Sequence, residues 1–149
     1  MFNKNWGRVI IATIALTTSL SFMSKAGTPQ EEIEKAFILI NEERSKVGAA
    51  PLTLTNGKMK DATAIRAYEA SFCSDHKRAD GTEWYTIAPD LLYGENLANN
   101  FDKAEDVVAA WINSPIHKQN IVRKDFKSTS IQIYVTSDNK WYWAEEFGY

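Results

Sequence analysis

A single cysteine, Cys73, stands in the whole chain. No intrachain disulfide can form, so the fold rests on packing. Histidine is nearly as scarce. His76 and His117 are the only two, 41 positions apart, which excludes a local zinc motif of the H-E-x-x-H kind. Seven glycines and four prolines are too few for a flexible linker or a collagen-like repeat. No apolar run reaches the ~20 residues of a membrane span. A basic surplus is missing too. The formal net charge is -2, and setting aside Lys4, Arg8 and Lys25 leaves 14 basic against 19 acidic side chains, or -5 for residues 27–149. Such a body has no general attraction for nucleic acid or anionic lipid.

What is present suits one globular domain. The 149 residues are 44% hydrophobic and 24% charged, enough to build a full core. Residues 1–26 read as a secretory signal peptide. Lys4 and Arg8 open it, Val9 to Met23 is uncharged and mainly apolar, and Ser24 and Ala26 offer small residues before a cut. Cleavage after Ala26 is expected, leaving residues 27–149 as the domain. The alternative is a membrane anchor, for which the run is short and diluted by Ser and Thr. No Cys near the cut is available for lipid attachment. Export agrees with the sparing use of cysteine, and Cys73 reads as a small half-buried residue at a helix end rather than a reactive thiol.

Along the body, Thr28-Pro29-Gln30-Glu31 carries a helix cap, a first-turn proline and a capping box. Ile33, Ala36, Phe37, Ile40 and Val47 line one face, and Gly48 can end the run. Leu52-Thr53-Leu54 is short and extended. A second helix is predicted over Lys58–Phe72, with Met59, Ala62, Ile65 and Phe72 as its core side and an Arg66–Glu69 pair on its surface. From Cys73 to Leu92 runs a long mixed segment, with a turn at Asp80-Gly81 and room for a short helix. A third helix is expected from Asp102, with Glu105 completing a capping box and Val107, Val108, Trp111 and Ile112 as its buried stripe. Ser114-Pro115 closes it. The period then changes from helical to alternating. Ile131–Val135 and Trp141–Phe147, joined by Asp138-Asn139, form a hairpin. Helices first and antiparallel strands after give an α+β class.

Chemistry has few places to sit. Both histidines fall in predicted loops, where isolated imidazoles are commonly surface residues. Gly94-Glu95-Asn96 puts a carboxylate in a short loop, which is also how a solvated helix-start Glu looks. Ser114 and His117, three apart, make a weak nucleophile and base pair. Glu145 and Glu146 end an aromatic strand and read as surface groups. The aromatics Trp84, Tyr85, Tyr93, Trp111, Trp141, Tyr142 and Trp143 suit core packing or a groove for a lipid or glycan ring.

The order of these pieces resembles the bacterial CAP-domain proteins, within the superfamily of cysteine-rich secretory proteins, antigen five and plant pathogenesis-related proteins. The matching segments are Ile40-Asn41-Glu42-Glu43-Arg44, Arg66-Ala67, Ser74-Asp75-His76-Lys77-Arg78-Ala79-Asp80-Gly81 and Gly94-Glu95-Asn96-Leu97-Ala98. They continue with Trp111-Ile112-Asn113-Ser114-Pro115-Ile116-His117-Lys118-Gln119-Asn120-Ile121 and Trp143-Ala144-Glu145-Glu146-Phe147-Gly148. The resemblance implies a three-layer α–β–α sandwich around a central antiparallel sheet. It also implies a cleft where His76, Glu95 and His117 converge. A second family carboxylate has Ser114 in its place, and the cysteine pairs of animal and plant members are absent.

Two readings of that cleft stand open. In one, the protein is an exported binding module, with His76, His117 and Glu95 holding zinc or another divalent metal. A lipid, a sterol, or an envelope or host component would be its further partner. In the other, it is a metal-assisted hydrolase with Glu95 as general base. Glu95 can instead orient an imidazole without touching metal, or simply pin loops. The resemblance implies no organic cofactor. The acidic body argues against a nucleic-acid partner, and the signal-peptide pattern gives a secreted or extracytoplasmic location, with membrane contact only during export.

Overall fold

The computed structural model describes residues 25–73 and 75–149; the signal-peptide expectation falls mainly on residues outside them. Helix α1 (Pro29–Lys46) begins at the foreseen capping box: Glu31 Oε2 accepts from Thr28 N at 2.7 Å, and Thr28 Oγ1 accepts from Glu31 N at 3.3 Å. It buries Ile33, Ala36 and Ile40. Val47, expected in the core, is exposed, because the helix has ended and Gly48 at φ +66° turns the chain away.

Strand β1 is only Thr53–Leu54. On helix α2 (Lys58–Glu69) the expected Met59 and Ala62 are buried, but the rest of the buried face is shifted toward Arg66. The helix buries Met59, Ala62, Thr63, Arg66 and Ala67, while Ile65 and Phe72 are 44% and 56% exposed. The Arg66–Glu69 pair therefore lies inside rather than on the surface. Ion partners beneath the helix make that burial tolerable. Phe72 lies beyond the helix end and meets Tyr68 edge-on at 5.2 Å. The long connection does contain a short 3-10 helix, Trp84–Ile87.

Strand β2 (Gly94–Asn99) runs through the segment expected to be a loop around Glu95. Helix α3 (Ala104–Asn113) follows, without the Asp102/Glu105 box; Lys103 is its N-cap and makes no side-chain capping bond. Glu32 of α1 supplies the cap instead. Its Oε2 accepts from Ala104 N at 2.8 Å, and its Oε1 accepts from Gly27 N at 2.8 Å. A carboxylate at a helix N-terminus also complements the helix dipole. Replacing Glu32 by alanine is expected to lower stability by about 0.5–2 kcal/mol, as loss of an ordinary cap does, read as a lower denaturation midpoint. An unchanged midpoint would refute this capping role.

Ser114-Pro115 ends α3 and at once opens α4 (Pro115–Val122), with Pro115 in the first turn. The restriction that proline puts on Ser114 breaks one helix, and its fixed φ starts the next. His117 is therefore helical, not in a loop. Strands β3 (Ser128–Val135) and β4 (Trp141–Gly148) form the foreseen hairpin, turning at Asn139 with φ +61°.

The sheet order is β1-β3-β4-β2. Pairs β3–β4 and β2–β4 are antiparallel; the two-residue β1 joins β3 in parallel. Helix α2 covers one face, and α1, α3 and α4 form the layer on the other. This is the expected α–β–α sandwich. Its main core lies under α1 and α3, where Trp111 meets Trp143 edge-on at 6.3 Å and Phe126 stacks on Phe147 at 5.3 Å. Strand alternation sends Glu95 and Glu146 toward α2, and Asn96 and Glu145 toward the other layer. Both C-terminal glutamates are 0% exposed, so their expected surface role is corrected. An aromatic strand at the centre of a sheet has no solvent side.

Candidate functional site

Glu95 is the hub. Gly94 before it lets the strand pass close to α4's end: a Cβ there would stand 3.1 Å from the Phe126 ring and 3.2 Å from Asn120 Oδ1. The Glu95 carboxylate is buried against Arg66, which donates from Nε to Oε2 at 2.7 Å and from Nη2 to Oε1 at 3.1 Å. The remaining guanidinium protons go to Glu69 Oε2 at 2.6 Å, Lys77 O at 3.3 Å and Asp75 O at 3.1 Å. All five N–H donors of Arg66 are thus used. Arg78 closes the set by donating to Glu69 Oε1 at 2.8 Å.

His76 reaches this hub from the connection after α2. Its Nδ1 lies 2.8 Å from Glu95 Oε1. An ionised carboxylate only accepts, so Nδ1 carries the proton and Nε2 is the free ring nitrogen. The bond to Glu95 raises the His76 pKa above 6.5 although burial opposes it. Burial works against the Glu95 charge, but His76 and Arg66 hold its carboxyl below the usual 4.5. Beside it, Glu146 is pushed well up, first by burial and then by the Glu95 charge. Among the described residues, its two oxygens and the Ser130 hydroxyl find no hydrogen-bond partner.

His117 arrives from α4. Burial lowers its pKa, and the charge of nearby His76 lowers it further. Its backbone carbonyl accepts from Asn96 Nδ2 at 3.2 Å. Asn120, one helical turn on, donates to Asn96 Oδ1 at 3.0 Å and to Glu95 O at 3.1 Å. The Gly-Glu-Asn and His-x-x-Asn segments therefore interlock. His76 and Glu95 meet directly, and His117 lies within the electrostatic reach of His76. Ser114, in the place of the absent second carboxylate, makes no side-chain capping bond on α4.

Sequence reasoning missed Arg66, Glu69, Asn96 and Asn120 as site members. The signal for Arg66 was its spacing. It follows Met59 by seven positions and Ala62 by four, which puts it on the buried stripe.

The residues fit a three-ligand metal centre poorly. Among the described residues, no group of three or more His, Cys, Asp or Glu is disposed to hold a metal ion. Both oxygens of Glu95 are already engaged by Arg66 and His76. A hollow of about 480 Å³ lies elsewhere, between α2 and the Ile87–Leu91 segment, and none of the three residues lines it.

A profile described as CAP, the Cysteine-rich secretory protein family, matches residues 37–147. The chain belongs to the CAP family. This CAP domain is 30% identical over 122 residues to the uncharacterized protein YkwD of Bacillus subtilis, a match covering 72% of this chain and 44% of YkwD. It therefore spans less than half the length of that curated relative. Its fold is similar to that of an outer surface protein from Borrelia burgdorferi, with TM-score 0.70 and 22% identity over 85% of this chain and 98% of that one. An extracellular protein containing an SCP domain from Bacillus anthracis gives TM-score 0.65 and 18% identity over 80% of this chain and 41% of that one. The CAP fold explains why segments far apart in sequence meet at Glu95: β2 lies at the sheet edge beside α4, and α2 crosses the opposite face.

Proposed function

We propose that this CAP domain is an exported, extracytoplasmic binding module whose cleft takes a divalent metal ion, zinc foremost, on the His76 and His117 imidazoles. The observation that carries this reading is the 2.8 Å contact from His76 Nδ1 to Glu95 Oε1. A carboxylate on one ring nitrogen fixes the tautomer and makes the other a better ligand. His117, whose pKa burial lowers, supplies a second lone pair. Glu95 supports rather than ligates, because Arg66 and His76 hold its oxygens. Bound metal would supply Lewis acidity in the cleft. The hydrolase reading is favoured less, since a carboxylate paired with a guanidinium and held below its usual pKa is a weak general base. The location rests on the charged and apolar pattern of residues 1–26 and on the extracellular relatives.

The test is a zinc titration of the purified protein followed by thermal unfolding. A ligand bound only by the native state at about 100 times its Kd stabilises by about 2.7 kcal/mol. His76→Ala and His117→Ala are each expected to abolish the shift. Protons compete at His76 from above pH 6.5 downward, given its raised pKa, so the shift should shrink as pH falls. An undiminished shift in the double His variant would sink the reading. A second ligand, an acyl chain or sterol, is assigned to the 480 Å³ hollow, whose lining includes Ile65, Ile87, Ala88, Pro89 and Leu91. Failure to retain labelled fatty acid or sterol saturably would remove it.

A further inference from the structure

Glu145 lies on β4 beneath α1, α3 and α4, fully buried, and sequence patterning gave it no role there. The Thr129 hydroxyl lies 2.9 Å from Glu146 O and 3.3 Å from Glu145 Oε1. A hydroxyl has one proton, and a carbonyl oxygen has none to give. The shorter contact takes the Thr129 proton. The longer one is at best the weak arm of a shared hydroxyl proton, and becomes a full hydrogen bond when the Glu145 carboxyl supplies the hydrogen.

On its other oxygen, Glu145 Oε2 accepts from Asn96 Nδ2 at 3.2 Å, and the same amide nitrogen donates to His117 O at 3.2 Å. Asn120 donates to Asn96 Oδ1 at 3.0 Å. The amide orientation is therefore set, since a flipped Asn96 would point its oxygen at two acceptors. The nearby cation, Arg44, gives its hydrogen bonds to backbone carbonyls and none to Glu145. Of the other charged groups, Glu146, Glu95 and Arg66 lie across the sheet, and α4 presents the His117 carbonyl.

We propose that Glu145 is held as a carboxylic acid and serves as a positioning residue for His117. Its proton goes to Thr129, its free oxygen orders Asn96, and Asn96 seats the His117 backbone beside Glu95. The chain of bonds ties α4 to β2 and β4 whatever the cleft binds, so it goes beyond the metal reading. Burial supports it by raising the carboxyl to about 8, against the pull of Asn96, Thr129 and Arg44. The folded state then keeps a proton that the unfolded chain releases near the ordinary value. This contribution to stability is fully present below pH 4.5, falls as pH rises toward about 8, and is flat beyond. One proton changes the folding constant about tenfold per pH unit.

The experiment compares the parent with Glu145→Gln, without metal. The amide is neutral, donates to Thr129 and accepts from Asn96. At pH 6.5 the His117 ring and the Asn96 and Asn120 side-chain NMR signals should be unmoved. The loss of stability between about pH 5.5 and 7, the window between the unfolded value and about 8, should be shallower than in the parent by about one proton. In the parent, the ¹³C shift of the Glu145 carboxyl should be that of the acid at pH 6.5. A carboxylate shift there overturns the proposal, as does an unchanged pH slope in Glu145→Gln. The ¹³C measurement needs only the parent, so a variant that fails to fold leaves the test intact. Zinc is absent throughout, so its binding or failure to bind is a separate result.

Discussion

Arg66→Met is expected to destabilise the protein by about 3–5 kcal/mol at neutral pH, the range for removing one partner from a buried ion pair. Its side chain is fully buried, and its five N–H donors serve Glu95, Glu69 and two backbone carbonyls. Methionine can replace the volume but none of those bonds. Glu95 is 4% exposed and would keep only His76 as a cationic partner, with the Glu146 carboxyl close behind it. A small domain has about 5–15 kcal/mol in total, so the variant should lie near the edge of folding. Denaturant unfolding at low temperature measures it. Glu95→Gln in the Arg66→Met background should recover part of the loss, because the stranded charge is then gone. A loss under about 1 kcal/mol would mean that the carboxylates find water or new partners.

The sign of the pH dependence follows from the same bonds. Glu95 and Glu69 are held below 4.5 despite burial, by His76 and Arg66 in one case and by Arg78 and Arg66 in the other. Their contribution is present above the unfolded pKa and is lost as acid protonates them in the folded state. His76 is shifted the opposite way by Glu95, above 6.5. It contributes below that value and stops contributing as pH rises through its folded pKa. The site is best held together between those two losses.

Much of this was legible in the sequence, and the failures share one physical cause. Caps, turns and the hairpin were readable because local chemistry decides them: Thr28-Pro29, Gly48, Ser114-Pro115 and Asp138-Asn139 each act on their immediate neighbours. Side choice on α2 was not local. Ile65 is more apolar than Arg66, yet Arg66 goes inside because β2 and the His76 segment bring it partners from 29 and 9 positions away. The same holds at α3, where the local box of Asp102 and Glu105 lost the cap to Glu32, 72 positions from Ala104. Glu145 and Glu146 looked like a polar strand end because charge usually marks the surface; a strand covered on both faces removes that choice. The His76, Glu95 and His117 set rested on family resemblance. The structure joins the first two by a hydrogen bond and places the third within electrostatic range.

Arg44→Met should cost a similar amount by a different route, since four backbone carbonyls lose their donor, each at about 1–3 kcal/mol. Arg44 is buried beneath the other face of the sheet with no carboxylate in salt-bridge contact among the described residues. Its Nε donates to Ala50 O at 2.8 Å, Nη1 to Ile121 O and Arg123 O at 2.8 Å each, and Nη2 to Phe126 O at 3.2 Å. Those carbonyls belong to the turn after α1, the end of α4 and the approach to β3. One guanidinium thus ties three chain segments together and faces the negative end of the α4 dipole. Each buried carbonyl left without a donor costs about 1–3 kcal/mol, less where water can reach it. The two arginine variants are separable by acid. The Arg66→Met deficit should shrink as pH falls through the carboxylate range, because protonated Glu95 and Glu69 no longer need a cation. The Arg44→Met deficit should stay level over the same range, since backbone carbonyls do not titrate. A deficit at Arg44 that vanished in acid would show that its charge is neutralised by a carboxylate after all, with Glu145 the nearest candidate, and would overturn the carbonyl clamp.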